Sequence, residues 1–218
     1  RVNDHFKKLN TSKTGNWELY LKTLIMFLLF VTPYFLILFT DFGSWIKIGL
    51  CFIMGVGMAG VGMNVMHDGN HGSFSKKKWI NKLMGSSIYI LAGNVHNWKV
   101  QHNMLHHTYT NIHGHDEDLE AGRIIRFSKH SKWSAYHRFQ HIYSVFLYGL
   151  LTINWSITTD IKQTRKYLKK KLTYRKKLQP IRQWLILILT KLIYFVIWIV
   201  FPIVFLELEW WKILLGFF

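Results

Sequence analysis

Long apolar runs separated by strongly basic segments constrain this chain more than any other feature of its sequence. Residues 19–39 read LYLKTLIMFLLFVTPYFLILF, residues 45–66 WIKIGLCFIMGVGMAGVGMNVM and residues 183–206 QWLILILTKLIYFVIWIVFPIVFL. About 20 such residues cross a bilayer core as a helix. Residues 208–218 read as the start of a fourth span, cut off at about half the needed length. Lys22 sits near a span end, where it can snorkel, and Pro33 and Pro202 are tolerated as kinks. The expected fold class is all-α: an integral membrane helix bundle with a cytosolic helical cap.

Half of the 218 residues are hydrophobic, yet the formal net charge is +17. The two facts agree if the apolar residues span the bilayer and the Lys and Arg lie in the loops. Of the 28 Lys+Arg, 20 fall between His67 and Arg182. The positive-inside rule therefore puts the N-terminus and residues 67–182 in the cytosol, whether the membrane is a bacterial inner membrane or the endoplasmic reticulum. Nucleic-acid binding, the other common reading of a basic chain, has no motif to support it. Residues 83–93 are apolar but too short to span, and residues 142–159 read as an interfacial helix. The basic stretch 162–182 reads equally as a helix against anionic headgroups or as an ordinary solvated charged face. Its single cysteine, Cys51, excludes an internal disulfide and any CxxC site.

GVGMAG at Gly55–Gly60 matches the dinucleotide fingerprint, but it lies inside a continuous apolar run. After Asp68 the next acidic residue is Asp116, so the ribose partner is missing. Close helix packing through Gly55, Gly57, Ala59, Gly60 and Gly62 is the better reading.

The chemistry lies in the histidines. HDGNH supplies His67 and His71 directly after the second run, and QHNMLHH supplies His102, His106 and His107. On an α-helix, residues four apart share a face, so each pair can aim two imidazoles at one place. His107, turned about 100° from His106, can reach a neighbouring metal position. Five imidazoles without cysteine suit iron, copper or zinc. Oxidising an unactivated acyl C–H bond calls for iron and O2 at a place that lipid tails reach and water does not. Asp68 and Asn70 can orient imidazole N–H groups or, equally, cap a helix end. The run 113–118 (HGHDED) carries ligand-capable residues; it reads first as a solvated loop and second as a segment that touches the metal ligands from behind or meets an electron donor. His96 reads as a hydrogen-bonded structural residue, and His5, His130, His137 and His141 as surface or interface residues.

HDGNHGSF followed by NWKVQHNMLHHTYTN resembles the first two histidine boxes of the membrane fatty acid desaturases. The finer likeness is to the acyl-CoA, linoleoyl-CoA-like or front-end branch, and it covers essentially the whole chain. The resemblance implies a di-iron centre with His67, His71, His102, His106 and His107 among its ligands, and Trp98 shaping an acyl channel. It implies an O2-dependent fatty acyl desaturase acting on a fatty acyl-CoA or acyl-lipid within the membrane. Electrons would come from a ferredoxin or a cytochrome b-type protein. The family's third box, (H/Q)xxHH, is absent from residues 1–218, so the chain reads as an N-terminal fragment, inactive by itself. A lipid hydroxylase on the same scaffold is the nearest rival. A membrane metal-binding or transport protein is a more distant one, because the spans offer only Lys22, Lys47 and Lys191, which are poor metal ligands, where transport calls for ligating groups at mid-span.

Overall fold

A computed structural model describes residues 2–9, 11–119, 123–174, 177 and 179–217. Its described elements are helical: α1 (Val2–Lys8), α2 (Trp17–Phe39), α3 (Ser44–His71), α4 (Lys78–Ser86), α5 (95–109), α6 (140–169), α7 (Pro180–Phe205) and α8 (Trp210–Phe217). Helices α2, α3 and α7 are long and apolar enough to cross a membrane. The chain divides into two compact units, residues 1–91 with 196–217 and residues 92–195.

In the first unit, Asn16 caps α2 by accepting the Leu19 N–H at 3.2 Å, which satisfies one of the orphan donors of the first turn. Helices α2 and α3 then pack closely. A Cβ on Gly57 would run into the Phe30 backbone, and one on Gly60 into the Met26 side chain. Small residues thus set this approach, as the sequence suggests, whereas Gly55 faces open space. Phe30, Val61, Val65, Phe74 and Leu91 form the core. Trp198 stacks on Phe30 at 5.4 Å and donates to Ile90 O at 3.2 Å, and the Tyr34 hydroxyl donates to Ile197 O. Lys22 donates to Asn64 Oδ1 at 2.9 Å, so its ammonium turns along the helices to a polar partner.

Helix α3 runs on past the apolar stretch 45–66 and carries HDGNH to His71, the helical setting that the spacing of these histidines calls for. Gly72, at φ 79°, ends it in the left-handed conformation that glycine adopts without strain. The basic stretch 162–182 is not one helix. Its first part completes α6, which runs on from the apolar segment to Lys169. Lys171, at φ 53°, breaks the winding, and α7 restarts at Pro180, where the missing N–H is no loss.

The second unit is tied together by a buried polar network. Asn97, fully buried, donates to Asp160 O at 2.9 Å, Asp160 Oδ1 at 3.0 Å and Thr164 Oγ1 at 2.9 Å. Lys191, from α7, lies 2.8 Å from Asp160 Oδ2 and donates to Trp155 O at 2.9 Å and to Ala92 O. Burying a carboxylate and an ammonium is tolerable only with such pairing and hydrogen bonding. The network joins α5, which carries the second histidine group, to α6 and α7.

Candidate metal centre

His67 and His71 close α3, after a turn of π-helical winding at Val61–Met66. Their rings lie 4.4 Å apart, and each offers a nitrogen within 4.8 Å of the other's. Asp68 Oδ1 is 3.3 Å from His67 Nδ1. Asn70 is buried, and its amide donates to Gly85 O at 2.9 Å. At the neighbouring position a Cβ on Gly69 would meet the Gly85 backbone. Asn70 therefore holds the histidine turn of α3 to α4. Asn81 fixes the loop behind it, accepting Ser75 N–H at 2.8 Å and donating to Ser75 O at 2.6 Å.

The second group stands on α5. Asn94 caps this helix, accepting the N–H groups of His96 at 2.9 Å and Asn97 at 3.2 Å. Residues Lys99–His106 wind as a π-helix rather than the α-helix assumed from spacing, so the 100° step does not describe them. The four-residue spacing still brings the rings of His102 and His106 together, stacked at 5.1 Å. His107, more exposed, lies edge-on to His102 at 4.9 Å and to His106 at 5.5 Å. Trp98 is buried and stacks on His102 at 4.6 Å.

The run 113–118 is not simply a solvated loop. Asp116 has no exposed surface, and its carboxylate accepts the Asn111 N–H at 2.8 Å and the Asp118 N–H at 3.0 Å. Both its oxygens lie 3.1 Å from His106 Nδ1. Burial works against its charge, but the Asn111 N–H, His106 and the Asp118 N–H outweigh it and hold the carboxyl below the ordinary range. Asp118 Oδ2 lies 3.4 Å from His102 Nδ1 and 3.2 Å from His106 Nδ1. Its pKa is likewise lowered against burial, by hydrogen bonds from His102 and Gln101 and by both imidazoles. Buried carboxylates need such donors. The sequence does hold the signal, an acidic pair two residues apart after a histidine box, but not its burial.

Two further histidines depart from expectation. His96 Nε2 is buried with no hydrogen-bond partner among the described residues, and burial lowers its pKa, favouring a neutral ring. His137 is buried, not superficial. It accepts Ser134 N–H through Nδ1 at 2.9 Å, and its Nε2 faces Arg123 O at 3.0 Å.

Imidazole nitrogens with carboxylate oxygens beside them fit a borderline transition-metal cation. His102, His106 and Asp118 each offer an atom within 4.8 Å of the others. A family model described as fatty acid desaturase matches residues 43–218. The chain belongs to the fatty acid desaturase family. It is 38% identical over 157 residues to an sn-1 linoleoyl-lipid 6-desaturase of Arthrospira platensis, and 31% identical over 155 residues to one of Synechocystis. An acyl-lipid (8-3)-desaturase of Physcomitrium patens is 30% identical over 157 residues. These alignments cover 72%, 71% and 70% of this chain. The chain spans 43% of the length of each of the first two relatives and 32% of the third. No solved structure matches it. With a desaturase family and three apolar helices of spanning length, the chain is a membrane protein.

Proposed function

We propose that the protein is an O2-dependent fatty acyl desaturase that introduces a double bond into a lipid-linked acyl chain. The observation that carries this reading is the pair of histidine groups at helix ends, His67 with His71 and His102 with His106 and His107, in a chain of the desaturase family. These five residues are proposed as ligands of a di-iron centre, completed by a third (H/Q)xxHH box beyond a fourth span. Residues 1–218 then form the N-terminal part of one desaturase domain. Bound iron would supply the means to activate O2 for attack on an acyl C–H bond.

The chain's own residues hold the imidazoles in place and would admit an acyl chain beside them. Asn70 and Asn97 fix the two helices that bear the ligands. Trp98 covers one face of the His102 ring, which suits a wall of the acyl channel. The relatives' names favour an acyl-lipid over acyl-CoA, and desaturation over hydroxylation. By the positive-inside rule the basic 67–182 region would lie in the cytosol, within reach of a ferredoxin or cytochrome b-type donor.

The test is to express the natural full-length gene product in a host lacking polyunsaturated lipids. A new unsaturated acyl chain in the glycerolipids, together with copurifying iron, is the expected result. His67→Ala and His102→Ala should each abolish it. An unchanged acyl profile from well-folded, iron-free protein sinks the proposal.

A further inference from the structure

We infer that Asp116, seconded by Asp118, is a positioning residue that fixes the tautomer of the box-two imidazoles and so decides which nitrogen meets the metal. The inference rests on the proposed role of His102 and His106 as ligands. A neutral imidazole has one N–H and one lone pair, and the partner of one nitrogen selects the state of the other. Both Asp116 oxygens lie 3.1 Å from His106 Nδ1, and Asp118 Oδ2 lies 3.2 Å from the same atom. A carboxylate only accepts, so the proton of His106 must sit on Nδ1, leaving the Nε2 lone pair for a cation. Asp118 Oδ2, 3.4 Å from His102 Nδ1, does the same for His102.

Capping a turn is the plainer role for Asp116. That role needs only the contacts to Asn111 and Asp118 N–H, and gives no reason for the carboxylate to face an imidazole nitrogen. The turn is also anchored from behind. Between the two aspartates, Glu117 points the other way, accepting the Tyr167 hydroxyl at 2.5 Å and pairing with Lys166 at 2.6 Å, both on α6. Gln101 donates to Asp118 Oδ1 at 2.7 Å and is itself held by Gln163. Alternate residues of one turn thus serve the imidazoles and the scaffold. Carboxylates placed behind ligating histidines raise ligand basicity, and their loss typically costs about 10- to 100-fold in metal affinity.

The experiment measures Fe(II) and Zn(II) binding to the purified full-length gene product in detergent, with metal content per chain and the thermal midpoint of the metal-free form. Asp116→Asn should weaken metal binding by about 10- to 100-fold. In a His106→Gln background the same substitution should cost nothing further in affinity, because its effect passes through His106. Solid-state 15N spectra of the zinc-loaded wild type should show His106 protonated at Nδ1, a readout that holds even if the variant folds poorly. Wild-type affinity in folded Asp116→Asn, an equal loss in both backgrounds, or Nε2–H on His106 overturns the inference while leaving the desaturase reading intact. A wild-type protein that binds neither metal overturns both.

Discussion

At the scale of single residues, the depressed pKa values of Asp116 and Asp118 have a consequence for stability. Below its ordinary value near 3.9, each carboxyl is protonated in the unfolded chain before it is in the folded one. The unfolded state then binds more protons, so stability falls with pH. The contribution is complete above the unfolded value and disappears as pH drops through the folded one. Metal-free protein melted between pH 6 and pH 3 should therefore lose midpoint steeply below about pH 4. The Asp116→Asn variant should show a shallower acid limb. An identical slope in both would show that Asp116 is not held below its ordinary range. The proximity of His67 to His71 and of His102 to His106 was legible from spacing, because imidazoles four residues apart approach one another even in π-helical winding. The burial of Asp116, whose run reads first as a solvated loop, and of His137 was not legible, because burial depends on what folds over a residue and not on its own polarity.

Helices meet through a few contacts whose removal should be measurable. Replacing Gly57 with Leu drives a side chain into the Phe30 backbone and should cost about 1–3 kcal/mol or separate α2 from α3. Gly55→Leu, facing open space, should be close to neutral in the same thermal melt in detergent. The Asp160–Lys191 pair joins α6 to α7, with Asp160 only 1% exposed. Lys191→Met leaves a buried carboxylate without its cation and should cost about 3–5 kcal/mol. Adding Asp160→Leu should recover part of that loss, as swapping both partners of a buried pair for apolar groups often does. Equal melting of wild type and Lys191→Met would mean that the pair is not formed. The spans were legible because their apolar length is set by the bilayer. The break near Lys171 was not, since charge and apolarity do not mark where a winding stops.

For the whole molecule, the basic excess over residues 67–182 makes a topological prediction. With Cys51 replaced by Ala, single cysteines at Phe42 and at His130 should label from opposite sides of the membrane, His130 from the cytosol. Labelling of both from one side would refute the orientation. A membrane-impermeant maleimide applied to intact cells and then to inverted vesicles makes the distinction.

By itself, the sequence shows that this chain carries segments long and apolar enough to cross a membrane, and which histidines fall four residues apart. Each of these follows from local arithmetic: residues per bilayer thickness and residues per turn. Tertiary structure alone decided which polar groups are buried and what they face. Asp116 became a carboxylate behind an imidazole and not a solvated loop residue. Lys191 became the partner of Asp160 instead of a stray charge in a span, and Asn70 and Asn97 became the pins of the two histidine helices. The physical reason is that the charge state and role of a polar group depend on its desolvation and its donors, and both come from residues distant in the chain.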